Sequence, residues 1–412
     1  MNKRIVFVMS LVLVIAFSGL SFASPLEHEG SLEFQWDKDS KLTHSEWAKL
    51  KYSVRKDFGQ GFSAGLSMEV SPDDTGGLLN KNWDGWANMD FGHTFVSLSS
   101  WKEFSGANYF FTQGYKLPGG PGAVVDFKQF DDITLQGHLG NYWGSNDAMN
   151  YTFGAKAGYT LDKYNVSAGF HGKKQDELLY GIFAGVDTEL ADGVGLQAEV
   201  AYRNDLEDWR CAVDEEGNQD WWMEEYHSGV AVGAQVDYEG EDLLSSLLVF
   251  YKGPLFRVKD WDDDIANNAR DLFLMNEWSG TLLALDLEYD VTPYLVTKAK
   301  VDYLLGVVDS RDDSNLAKVD EIDPFGFRVD ASYRATLGTT ISGWYSHYAD
   351  WKKIGAGVTY WDWEVKGSYD LGSKFAEAEA VYTFVDGFQG IIHVNKPYEG
   401  DLGYGLKLKI TF

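Results

Sequence analysis

The chain has a single cysteine, Cys211, among 412 residues. No intrachain disulfide is therefore possible, and no cysteine-based metal site can be built. Beyond Phe17 no stretch approaches the roughly 18 uninterrupted apolar residues of a spanning helix. If the protein crosses a membrane, it must do so as a closed barrel of strands. Basic residues are outnumbered, 35 against 63 acidic, for a formal net charge of −28. That balance argues against nucleic acid as a partner, which needs clustered Lys and Arg. Proline is scarce, at 8 residues. Helical spacing is scarcer still: Ile265 to Met275 is the one stretch whose pattern leaves a helix open.

What the chain has is glycine, at 44 residues, and aromatic rings, at 15%. Both suit short strands, tight turns and interfacial girdles. From Leu32 onward the dominant period is two. Leu32, Phe34 and Trp36 alternate with Glu33, Gln35 and Asp37. Ala48, Leu50, Tyr52 and Val54 alternate with Lys49, Lys51, Ser53 and Arg55. The same alternation runs through Val194 to Tyr202, Leu283 to Val291, Leu295 to Val307 and Trp363 to Leu371. Strict alternation of this length is a strand signature.

The first residues read as a secretory signal peptide. Lys3 and Arg4 precede the apolar run Ile5 to Phe17, and Ser21-Phe22-Ala23 is a small-x-small cleavage site. The run is shorter than the ~20 residues of a membrane anchor. The expectation is a signal peptide over 1–23 and one domain over 24–412, with a net charge of −30 once Lys3 and Arg4 are gone. The strand pattern begins soon after the cleavage site, so no N-terminal plug is expected. At the other end Tyr404, Leu406, Leu408, Ile410 and Phe412 alternate with Gly405, Lys407, Lys409 and Thr411. An apolar face alternating with a charged one fits a strand between lipid and water. This segment resembles the C-terminal signal of bacterial outer-membrane β-barrels, an aromatic preceded by alternating apolar residues. The resemblance implies recognition by the barrel assembly machinery and a place among outer-membrane lipid and lipopolysaccharide. Porin-like barrels often form homotrimers, although no interface is visible in the sequence.

Connections come in two kinds. Tight ones include Gly59-Gln60, Asp162-Lys163 and Gly338-Thr339; long ones are 71–85, 205–225, 257–277 and 308–324. Short periplasmic turns and long extracellular loops are the barrel pattern. Tracing strand direction from both ends gives about 22 strands, within a range of about 16 to 22, if Gly122 to Tyr142 counts as one irregular strand. The expected fold is thus all-β, a transmembrane antiparallel barrel; a soluble sandwich or propeller is the alternative for many short strands.

The four long loops carry 24 acidic and 7 basic residues, a net −17. This either solvates exposed loops and bridges divalent cations to lipopolysaccharide, or forms a funnel that enriches cations at a pore mouth. With apolar faces toward lipid, the inward residues are Asp286, Glu288 and Asp290 on one strand and Lys298, Lys300 and Asp302 on the next. Arg328, Asp330 and Arg334 follow; near the closure, Lys407, Lys409, Lys49, Lys51 and Arg55 flank Glu33 and Asp37. Such charges either pair across strands or set up a transverse field that orients polar solutes. The tryptophan pairs Trp83/Trp86, Trp221/Trp222 and Trp361/Trp363 read as interfacial girdle or as stacking surfaces for sugars. Asp260, Asp262, Asp264 and Asp271 have the spacing of calcium-loop donors. Ile265 stands where that loop needs glycine, and Asp271 replaces its glutamate, which counts against a specific calcium site. None of the eight histidines sits in a recognisable catalytic motif. The reading is a porin-like, water-filled channel for small hydrophilic solutes, mildly cation-selective and not an enzyme. The alternatives are a loop-closed structural or adhesive barrel and a barrel enzyme.

Overall fold

The computed structural model describes residues 27–38, 44–59, 61–72, 79–99, 122–130, 132–141, 151–174, 178–213, 219–256, 269–275, 278–308, 324–348, 351–397 and 402–411. Among these, 22 strands, β1 to β22, follow one another in antiparallel succession. The last, β22 (Gly403–Thr411), pairs with the first, β1 (Glu27–Lys38), and closes the cylinder. The closing register sets Leu32 opposite Ile410 and Glu33 opposite Lys409. Closure removes the sheet edge, so strand backbone groups find partners without water, as a lipid environment demands.

Alternation becomes two faces. In β10 (Leu178–Ala191), Leu178, Tyr180 and Ile182 are exposed, while Leu179, Gly181 and Phe183 are buried. Large exposed side chains such as Leu66, Val166, Leu247, Ile354 and Ile392 form the outer, apolar face. The opposite, concave face holds the charged residues. Connections at one end are tight: Asp162-Lys163 joins β8 (Tyr151–Leu161) to β9 (Tyr164–Lys174), with Asp162 at φ 53°. The termini of β1 and β22 share this end.

Three expectations change. Most of the expected 71–85 loop is strand, the ends of β3 (Phe62–Pro72) and β4 (Leu79–Asp90). Residues 122–141 form a hairpin of β6 (Gly122–Phe130) and β7 (Ile133–Asn141) instead of one irregular strand. Its turn has no Gly, Pro or Asn, and a register shift between Phe127 and Phe130 breaks the alternation that marks a reversal. The stretch 205–225 is mostly strand, because β11 (Val194–Val213) and β12 (Gln219–Glu239) stay paired to Val213 and Gln219. Register shifts at Arg203/Leu206 and Glu207/Trp209 hide that period. These strands, of 20 and 21 residues, exceed the ~9–11 needed to span a bilayer, so the hairpin projects beyond it.

One side of the interior is filled. β13 (Leu243–Lys252) and β14 (Ser279–Thr292) carry apolar residues on both faces. Their inner residues Phe250, Leu282 and Ala284 pack with Phe256, Phe273 and Trp278 of the segment between the two strands. That segment turns inward and forms the one helix among the described residues, α1 (Ala269–Met275), inside the 265–275 stretch whose period left a helix open. Each large buried side chain contributes roughly 1.5–3 kcal/mol.

Candidate functional site

The strand period puts the charges inside, and the register decides their partners. On β14, β15 (Leu295–Val308) and β16 (Phe325–Thr336), Asp286 faces Lys300 and Glu288 faces Lys298. Lys300 then faces Arg328, and Lys298 faces Asp330. Lys298 Nζ lies 2.8 Å from Glu288, and Arg328 is held by Asp330 at 2.7 Å. Arg334 sits further along β16, opposite Thr340 near the tight-turn end. Around the closure, Glu33 takes Lys407 at 2.9 Å and Lys409 at 3.7 Å. The register also sets Lys49, on β2 (His44–Gly59), opposite Glu33. Lys51 meets Glu69 at 3.3 Å, and Arg55 meets Glu27 at 3.8 Å. Acid and base therefore neutralise each other locally along these walls. Half-exposed pairs of this kind contribute only about 0–1 kcal/mol each; they define a polar lining more than they stabilise it.

The inward segment is the second part of the site. After β13 the chain bends at Leu255, whose φ is 60°, and the Gly253 amide donates to the Val230 carbonyl at 2.8 Å. Helix α1 lies against the inner wall. Arg270 donates from Nε to Asp302 at 2.9 Å and from Nη1 and Nη2 to Asp286 at 2.8 and 2.9 Å. One guanidinium thus clamps two neighbouring strands. Burial opposes its charge, but the hydrogen bond to Asp286 and the charges of Asp302 and Asp286 outweigh it and raise the Arg270 pKa. Phe273 is fully buried, edge-on to Phe250 with ring centroids 6.3 Å apart. Lys252 Nζ sits 4.7 Å from the Phe273 ring centre, and Arg203 sits 5.5 Å from that of Phe256. Such cation–π contacts contribute about 2 kcal/mol when desolvated. The charge pattern alone pointed to Asp286 but not to this segment. The available signal was the loss of alternation in Leu247-Leu248-Val249-Phe250 and Leu282 to Leu285, which implies cover on both faces.

A third patch lines β7 to β11. His138, His171 and Glu199 are buried on the inner face. The His138 ring lies over Gly154 and the His171 ring over Gly181, where no Cβ would fit. The large side chains are seated on glycines of the neighbouring strand.

The other sequence candidates lie partly outside the described residues. Asp260, Asp262 and Asp264 lie outside the described residues, and Asp271 is on α1. Among the described residues no group of three or more His, Cys, Asp or Glu is placed to hold a metal. Tyr404, Leu406, Leu408 and Ile410 share the outer face of β22; Phe412 is outside the described residues. Trp361 occupies a tight turn at φ 50° and Trp363 is exposed beside it, as girdle residues would be. Trp86 faces inward over Gly65, 5.8 Å from the Arg55 guanidinium. Trp83, Trp221 and Trp222 lie in strands, and Cys211 pairs with Trp221 across β11 and β12.

No protein-family model matches the chain, and no curated protein matches its sequence. Solved structures do resemble its fold. The siderophore receptor PirA from Pseudomonas aeruginosa superposes with a TM-score of 0.54 at 10% identity, covering 95% of this chain and 81% of that one. The copper transporter OprC gives 0.52 at 11% identity, over 94% and 81%. The FrpB iron transporter from Neisseria meningitidis, F5-1 variant in its apoprotein form, gives 0.51 at 10% identity, over 93% and 81%. The fold is that of the outer-membrane β-barrels.

Proposed function

We propose that this chain, after removal of residues 1–23, is an outer-membrane channel that passes small hydrophilic solutes through a water-filled lumen. The observation that carries the reading is the inner wall of paired charges on β14–β16 and across the β22–β1 closure. Ion pairs that keep part of their surface in solvent suit a wet lining, since desolvating them fully would be costly. Barrel diameter grows with strand number, and 16–18 strands already leave an aqueous channel. The described inward segment packs against β13, β14 and β15, on one side of a 22-stranded wall. Lipopolysaccharide around the outer belt, delivery by the barrel assembly machinery and a homotrimer belong to the same reading.

The filled side of the lumen supports a second reading, a barrel closed by its own loops. Phe250, Lys252 and Leu282 on the inner face are fully buried. Single-channel recording in a planar bilayer separates the two. Stepwise, ohmic conductance is expected of the channel; a correctly folded barrel that inserts without conductance would establish the closed form instead.

A further inference from the structure

Trp344 belongs to none of the tryptophan pairs of the sequence, yet it stands on the inner wall. It lies on β17 (Thr339–Tyr348), in a row that runs Trp344, Gly355, Ser368, Glu377 and Asn395 across β18 (Trp351–Tyr360), β19 (Trp363–Asp370), β20 (Ala376–Val385) and β21 (Phe388–Lys396). The indole lies across Gly355, filling the space where a Cβ would be, with Nε1 among its nearest atoms. Its N–H edge therefore extends over β18. The Arg328 guanidinium sits 4.7 Å from the ring centre, itself fixed to Asp330 at 2.7 and 2.9 Å. Glycine and guanidinium hold the ring in place.

Beyond that edge is a recess of about 400 Å3. Trp344 bounds one side; Lys366, Glu377, Glu379, His393 and Asn395 bound the other. Its charges are largely satisfied. Lys366 Nζ is 3.0 Å from Glu379, and Ser368 Oγ donates to Glu377 at 2.6 Å.

We infer that this recess is a docking subsite for a neutral, polyhydroxylated solute of sugar size; the inference rests on the channel reading and names a solute class for it. The positions a cation would take on the indole and beside Glu379 are filled by Arg328 and Lys366. An anion would meet Glu377 and Glu379. A polyol carries no charge to be repelled. Its hydroxyls donate to the carboxylates and accept from Lys366, Asn395 and the indole N–H. The indole meets the recess with its N–H edge, since Gly355 and Arg328 occupy the ring itself. With adjacent strands ~4.8 Å apart, β19 to β21 spread the polar groups over roughly 10 Å, more than one sugar ring and within reach of a disaccharide.

Isothermal titration of the purified barrel in detergent micelles tests this, with sucrose, choline and benzoate as probes. Saturable sucrose binding is expected, with none for choline or benzoate. Trp344→Ala should weaken sucrose binding about three- to tenfold, the factor equivalent to one hydrogen bond from the indole N–H. Glu377→Gln should weaken it too, and Trp363→Ala on the outer face should leave it unchanged. Heat-modifiable gel mobility establishes that each variant is folded. Absence of sucrose binding, binding indifferent to Trp344→Ala in a folded barrel, or preference for choline or benzoate would overturn the subsite. Titration requires no conduction. A barrel that binds sucrose but does not conduct sinks the channel alone, and one that conducts without binding sinks the subsite alone.

Discussion

On the channel reading, replacing Arg270 by Gln should loosen α1 from the wall and widen the lumen. The wild-type guanidinium makes three charge-assisted hydrogen bonds of 2.8–2.9 Å to Asp286 and Asp302. Removing one partner of a fully buried pair costs about 3–5 kcal/mol. Here the side chains of Arg270, Asp286 and Asp302 are 22%, 35% and 10% exposed, so solvent lowers the cost to roughly 2–3 kcal/mol. At 1.4 kcal/mol per factor of ten, the docked population falls about 30- to 140-fold relative to the undocked one. The helix cannot compensate. It has seven residues, well below the ~12–15 that make an isolated helix even marginal. Single-channel recordings should show a larger main conductance and more frequent transitions. Heat-modifiable mobility should not change, because no strand pairing is touched. Adding Asp302→Asn removes one of the two carboxylates left facing each other and should restore part of the wild-type behaviour. Unchanged conductance and unchanged current noise in a folded Arg270→Gln barrel would refute the clamp.

The face assignment predicts that Leu285→Arg costs roughly 2–4 kcal/mol near the midplane, whereas Glu288→Arg costs far less; equal losses in denaturant titrations into lipid would mean the faces are reversed. Gly154→Val should lower the folded fraction, because the His138 ring and the Phe170 carbonyl occupy the new Cβ position; Gly137→Val, with only the Gly154 carbonyl at 3.8 Å, should be tolerated. The same gel assay compares them. Neutralising Asp262, Asp263 and Asp264 together should move the zero-current potential under a salt gradient toward zero. The effect should fade at high salt as the ~8–10 Å screening length shrinks; strong anion selectivity of the wild type would contradict it.

The outer face was legible because lipid enforces a period of two. Leu283, Leu285 and Leu287 could belong to no other face once Asp286 and Glu288 were turned inward. The ion pairs were legible for the same reason, since register follows from alternation and tight turns. The inward segment was not. Its contacts join β13, α1, β14 and β15, and Arg270 meets Asp302 across 32 positions of sequence. Trp344 carries no signal in the sequence, because its significance lies in Gly355 and in polar residues two to four strands away. The 205–225 hairpin is hidden in the sequence because its acidic residues resemble solvated coil and its register shifts break the period.

Helix α1 lies between β13 and β14 in the chain and is clamped to β14 and β15. Its docking is therefore intramolecular, at an effective concentration no separate peptide would reach in the same lumen. Undocking cannot be followed by escape. The obstruction returns to the same wall at a rate set by chain motion and not by supply, so this barrel, once conducting, should flicker rather than stay open.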